Sequence, residues 1–174
     1  MKLTKYPTLI SKKRVDTMEL KDKENREMPH SHVYHAVLPI IFMIVWILDT
    51  QILQVSIFLN DIVPSMVRAV LFAVFLGLAL LLMGLSHKAL FNGGPSPVLI
   101  TDGIFSHTRN PMYLGILFIY IAFISLSISL ISLILFILVF YVYGKMVDYE
   151  ESILEEIFED YKEYKKQVPK WIFI

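Results

Sequence analysis

The chain has no cysteine among its 174 residues. That absence removes a disulfide framework, a thiolate nucleophile and Cys-ligated zinc from the chemistry open to it. It also has no charge of one sign to spare, because sixteen Lys and Arg face sixteen Asp and Glu. Without a basic excess there is nothing to drive counterion release from a phosphate backbone, so a nucleic-acid partner is not expected. No internal repeat and no low-complexity linker is visible. The first apolar run begins only near His32, after a polar stretch, and no secretory leader is expected. What the chain has in excess is apolar surface. At 56% hydrophobic residues it is too apolar for an ordinary soluble fold, and the first partner expected is the lipid bilayer.

Two apolar runs, from Val33 to Leu53 and from Val63 to Leu85, each approach the roughly 20 residues that cross ~30 Å of hydrocarbon, and both are expected to be transmembrane helices. Asn60, Asp61 and Pro64 mark the turn between them. Asp49 falls within or near the end of the first run, as a functional candidate inside the bilayer or a residue at headgroup level. Residues 1–32 carry eight Lys and Arg against five acids and read as a charged, solvated tail, whereas the linker 54–64 has no Lys or Arg. The asymmetry places the N-terminus in the cytoplasm. His30, His32 and His35 lie close together, but no carboxylate or cysteine accompanies them. They read as histidines at a membrane entry and not as metal ligands.

From Met112 to Tyr143 the chain is apolar for so long that one helix would reach ~48 Å, well beyond the hydrocarbon thickness. The cluster Ser125, Ser127, Ser129 and Ser132 near its middle predicts a tight helical hairpin. That brings Lys145, Lys162, Lys165, Lys166 and Lys170 back to the cytoplasmic side. Beyond Tyr143, Val147, Ile153, Leu154, Ile157, Phe158 and Tyr161 recur at near-helical spacing, which predicts an amphipathic helix with its acids mostly in solvent. Trp171 and Phe173 suit an interfacial anchor. The expected fold is therefore all-α: an integral membrane helical bundle of two long spans, a membrane hairpin and a cytoplasmic helical tail. Residues 33–174 would form a single domain behind the tail 1–32.

Between the apolar runs lies a polar break, Pro97 to Gly115, read as P-V-L-I-T-D-G-I-F-S-H-T-R-N-P-M-Y-L-G. Asn110 followed by Pro111 is a good helix start, since Asn caps well and Pro is tolerated at the first helical position. The free N–H groups and positive dipole end of that helix would suit a carboxylate. Gly103, at a turn, lets a ligand approach the backbone closely. Gly103, Arg109, Pro111, Tyr113 and Gly115, followed a membrane hairpin later by the pair Glu150 and Glu151, resemble the signature of the isoprenylcysteine carboxyl methyltransferase and phospholipid methyltransferase family. The resemblance extends from about Leu90 to Pro169.

That resemblance implies an integral membrane enzyme with S-adenosylmethionine as cofactor and a lipophilic methyl acceptor. Pro97, Val98, Leu99 and Ile100 would border the cofactor, Gly103, Phe105, Asn110, Pro111 and Tyr113 would complete one wall, and Glu150 with Glu151 would close the site. Glu150 and Tyr113 are the candidates for positioning at the reacting centre. Arg109, Lys145 and Met146 occupy the places implied for the substrate. The sequence departs from the pattern at Asn110, where the family has His, at Phe105, where it has Tyr, and at Met146, where carboxyl-methylating relatives have Arg. The typical F-G-x-x-Y is also one residue short, reading F-E-D-Y from Phe158 to Tyr161. The expected acceptor is the carboxylate of an isoprenylcysteine-like lipid, with a phospholipid amine as the alternative. An NADPH-dependent membrane reductase of the sterol-reductase type competes with this, with Arg109 and His107 as its candidate phosphate contacts. A membrane scaffold is the non-enzymatic alternative.

Overall fold

The computed structural model describes residues 31–92 and 98–171. His30, Pro97, Phe173 and most of the charged tail lie outside the described residues. Among the described residues there are five α-helices and no strand. Helix α1 (Ser31–Ile47) runs on as a π-helical segment, Leu48–Leu53, and α2 spans Ser65–Asn92. Helix α3 (Pro111–Ser127), α4 (Leu130–Ile157) and the short α5 (Tyr161–Gln167) follow. Among the described residues three stretches, Ser31–Leu53, Ser65–Phe91 and Leu130–Ile157, are long and apolar enough to cross a membrane. Their outward residues are apolar, as Ile40, Ile44, Val70, Val74, Ile134 and Ile137 illustrate. Such a surface suits lipid, and the chain is a helical integral membrane protein.

The long run after Met112 does break into a hairpin, at Ile128 and Ser129. Ile128 has φ 43, a left-handed conformation that a β-branched residue adopts only when its surroundings hold it there. Ser129 caps α4 by accepting the Ser132 N–H at 3.0 Å. The fastening comes from Asp49, which is 3% exposed. Its carboxylate accepts the Ser56 N–H at 3.1 Å and the Ser56 and Ser129 hydroxyls at 2.5 Å each. Ser56 in turn accepts the Ile131 N–H at 3.1 Å. The acid thus ties the first interhelical loop to the hairpin bend, and every one of these bonds is buried or half-buried. Asp49→Ala would leave two hydroxyls and an amide without their acceptor and is expected to destabilise the protein by on the order of 3 kcal/mol, read by thermal unfolding in detergent.

Helices α2 and α3 approach closely because Gly115 has no side chain. A Cβ there would lie 2.7 Å from Met83 Cγ and 3.0 Å from the Ala79 carbonyl oxygen. Met83 can swing aside, but the backbone of α2 cannot. Gly115→Val is therefore expected to push the helices apart at a cost of about 1–3 kcal/mol, with Gly115→Ala milder, in the same unfolding measurement.

Two expectations about the C-terminal region need correction. Helix α4 stops at Ile157, and Phe158 takes extended backbone angles before α5 begins, so the amphipathic helix does not continue through Tyr161. Trp171 is not an interfacial anchor at the surface. It is 7% exposed, packs in the central apolar core and lies 5.8 Å from the Phe140 ring.

Candidate functional site

Helix α4 carries a stripe of residues four apart, Val139, Tyr143, Val147 and Glu151, all of them buried. Four residues advance a helix by slightly more than a turn, so the stripe is one face of α4 set against the core. Glu151 is its last member. The expectation that the acids of α4 mostly face solvent holds for Asp148 and Glu156 and fails here, where the carboxylate is 2% exposed. Arg109 meets it with a two-pronged bond, Nε to Oε1 at 3.0 Å and Nη2 to Oε2 at 3.1 Å. The Asn110 amide donates to Oε1 at 2.8 Å, and Lys165 Nζ lies 3.6 Å from Oε2. Asn110 stands where a cap would, but its side chain makes no capping bond because Glu151 takes it. Pro111 does occupy the first turn of α3.

The loop 98–110 is held from the other side by the C-terminal segment. Arg109 donates through Nη1 to the carbonyls of Lys165 at 2.9 Å and Val168 at 2.5 Å, and through its backbone N–H to Pro169 at 3.1 Å. Thr108 donates to the Lys170 carbonyl at 3.0 Å, and Tyr164 to the Phe105 carbonyl at 2.6 Å. Leu99 packs with Tyr161, Tyr164 and Val168, while Val98 is exposed and Ile100 half-buried. Burial pushes the Tyr161 and Tyr164 phenols well above their ordinary range, with the Glu151 charge adding to it. Both stay neutral and able to donate. The bond to Glu155 holds the Lys165 ammonium above its usual value, against partial burial.

Glu150 is the neighbour of Glu151 in sequence but points about 100° away around the helix axis. It faces α3, where the Tyr113 hydroxyl donates to its Oε1. His35 of α1 completes the group. Its Nε2 lies 3.5 Å from the Tyr113 oxygen, and its ring sits 5.5 Å from Tyr113 and 5.6 Å from Tyr143. Beside this group, between α1, α3 and α4, is a cavity of about 300 Å3. Its wall includes His35, Pro39, Phe42, Ile116, Tyr120 and Tyr143. The wall is apolar apart from His35 and the two phenols, whose buried hydroxyls have no hydrogen-bond partner among the described residues but each other. Gly103 has φ 61, with open space around the position a Cβ would take. Its carbonyl accepts the Ser106 hydroxyl at 2.8 Å.

The structure thus divides the sequence candidates into two groups. Tyr113 and Glu150 join His35 beside the cavity. Arg109, Asn110 and Glu151 form a closed ion-pair cluster that fixes the loop to α4. Met146 is fully buried in the core, and Lys145 is exposed, 5.7 Å over the Tyr141 ring. His107 is exposed and bonded to Ser106 at 3.0 Å. Among the described residues no three His, Asp or Glu side chains gather as a metal site would require; His32 is exposed and His35 turns to Tyr113. Sequence reasoning placed His35 at a membrane entry without a role in the site, and passed over Tyr120 and Tyr143. The two tyrosines carried a signal, since a hydroxyl inside an otherwise apolar span is there for a partner or a ligand.

Residues 82–161 match the family described as phospholipid methyltransferase. The matched stretch runs from the second half of α2 through the end of α4 to the first residue of α5. It contains Arg109, Asn110, Tyr113, Glu150 and Glu151, and leaves out α1 with His35 and the residues beyond Tyr161 that clamp the loop. No curated protein and no solved structure matches the chain. The match agrees with the family resemblance carried by Gly103 to Gly115 and by the acidic pair, and the family's activity is methyl transfer at a membrane.

Proposed function

We propose that this membrane protein methylates a lipophilic acceptor with S-adenosylmethionine as donor, and that the acceptor's reacting group is an amine of the phospholipid-headgroup type. The observation that carries the reading is the acid–phenol pair of Glu150 and Tyr113 standing beside an apolar cavity, next to the loop that holds the family signature. The donor set suits the cofactor. A half-buried carboxylate at Glu150 can receive an ammonium or ribose hydroxyls through charge-assisted bonds, and Gly103 leaves open space beside the backbone. When bound, the sulfonium supplies an already activated methyl group. What the protein adds is position and exclusion of water. Leu99, Ile100, Phe105 and Pro111 would then line the approach to Glu150, and Glu151 would hold the loop that carries them through Arg109.

The choice of amine over carboxylate rests on where the cations are. Gripping a carboxylate needs a free cation near Glu150. Arg109 is paired with Glu151, Lys170 with Asp148 at 2.8 Å and Lys165 with Glu155 at 2.6 Å, and the relatives' Arg position is the buried Met146. The same engagement of Arg109 weighs against the reductase reading, which asks for clustered cations to hold phosphates. Both ends of the site, the loop and the C-terminal part of α4, would face the cytoplasm.

Calorimetric titration of the detergent-solubilised protein with S-adenosylmethionine and with NADPH tests the cofactor, and tighter binding of NADPH would reverse the assignment. Transfer of labelled methyl across phosphatidylethanolamine, prenylcysteine analogues and small lipophilic acids tests the acceptor. Incorporation into the prenylcysteine carboxylate in preference to the amine would overturn the acceptor class and leave the methyltransferase reading standing.

A further inference from the structure

We infer that His35 is the residue that takes the proton from the acceptor amine, and that the cavity it lines holds the acceptor's reacting end. The inference rests on the methyltransferase reading but uses a residue of α1, outside the stretch that matches the family. An amine headgroup in water is an ammonium with no lone pair to give, so methylation has to begin with loss of a proton. A carboxylate needs no such step. The side chain whose ordinary pKa suits that task near neutral pH is imidazole.

The surroundings of His35 fit the role on each count. Its ring is a wall of the cavity, and the rest of that wall is apolar except for the hydroxyls of Tyr120 and Tyr143. Those hydroxyls are buried, have no partner among the described residues but each other, and belong to residues that are 3% and 0% exposed. A cavity of about 300 Å3 admits the end of a lipid, and hydroxyls in its wall offer a nitrogen the hydrogen bonds it would lose on leaving water. On its other side His35 reaches Tyr113, which bonds to Glu150. An imidazolium formed at His35 is therefore one phenol away from a carboxylate that stabilises it. Among the described residues, the titratable groups facing it include Tyr113 of α3, Tyr143 and, through Tyr113, Glu150 of α4, with Tyr120 across the cavity; His32 and Tyr34 lie on its own helix.

In the step itself the ammonium nitrogen gives a proton to His35 and gains a lone pair. That pair forms the new carbon–nitrogen bond, while the electron pair of the broken carbon–sulfur bond stays on the neutral sulfide that leaves. The product is a methylated ammonium, and the proton on His35 passes to solvent before the next turnover.

The test uses the full chain in micelles containing phosphatidylethanolamine. His35→Gln is expected to lower kcat at neutral pH by about 100-fold with KM little changed. The deficit should shrink as the pH is raised through the amine's own range, where solvent removes the proton instead, and added imidazole should restore part of the rate to His35→Ala. A variant that keeps near-normal kcat at neutral pH, or loses as much at high pH as at neutral pH, overturns the inference. A second readout needs no turnover. In protein carrying 13C-labelled histidine, with His35→Gln identifying the signal, phosphatidylethanolamine should shift the His35 imidazole resonance by donating an N–H to the ring, and phosphatidylcholine, which has no N–H to donate, should not. Equal response to both lipids, or none, counts against His35. If no acceptor is methylated at all, the methyltransferase reading fails, and the resonance experiment still decides whether His35 receives an amine lipid's N–H.

Discussion

Glu151→Ala is expected to cost about 3–5 kcal/mol of stability, because it strands a buried guanidinium. Arg109 is 7% exposed at its side chain, and Glu151 provides both oxygens of its two-pronged bond. Removing the acid leaves the cation with carbonyl partners at Lys165 and Val168, which satisfy hydrogen bonds but not charge. Arg109→Met should cost a similar amount, because it strands the carboxylate. The double variant Arg109→Met with Glu151→Leu removes both charges at once and is expected to recover a large part of the loss. Unfolding of the three variants in one detergent reads this as a cycle. Strictly additive losses would mean that the pair is not what holds the loop to α4. Activity should fall with stability in the single variants and return in the double one, since the cluster positions the loop without touching the reacting atoms.

The second large effect is expected at the neighbouring acid. Glu150→Gln keeps the size of the side chain and its bond to Tyr113 but removes the charge, so the fold should survive with little change in melting temperature. Methyl transfer is expected to fall by roughly 100-fold and binding of S-adenosylmethionine by at least about tenfold, because a charge-assisted bond is replaced by a neutral one in a partly desolvated place. Tyr113→Phe, which frees the carboxylate but removes its donor, should produce a smaller loss of the same kind. Calorimetry of cofactor binding separates the outcomes. Unchanged affinity in both variants would remove Glu150 from the cofactor site. The two neighbours thus give opposite signatures: Glu151 in stability, Glu150 in binding.

Much of this architecture could be read in the residues. The spans at Val33 to Leu53 and Val63 to Leu85 were legible from uninterrupted apolar length, and the hairpin from a run too long for one crossing with serines at its middle. Such features are local, and they agree with α1, α2 and the break at Ile128 and Ser129. The role of Asp49 stayed open, because its partners Ser56 and Ser129 lie 7 and 80 residues away. The division of labour between Glu150 and Glu151 was half legible. The four-residue spacing of Tyr143, Val147 and Glu151 is visible in the residues, but the amphipathic reading of this helix left its acids mostly in solvent, and nothing in the spacing named Arg109 as a partner.

The chain's own composition and spacing determined that it is helical, that it belongs in a bilayer, and that a polar loop and an acidic pair are brought to the same end of the bundle. Tertiary structure alone decided which acid is structural and which turns to Tyr113, that Arg109 is engaged within the protein, and that His35 of α1 stands beside Tyr113. The reason is geometric. Sequence periodicity fixes the angle between residues along one helix, about 100° per step, but the rotation of that helix against its neighbours is set by packing. Here the burial of Tyr143, Met146 and Val147 sets the rotation, and with it everything that α4 presents to α1 and α3.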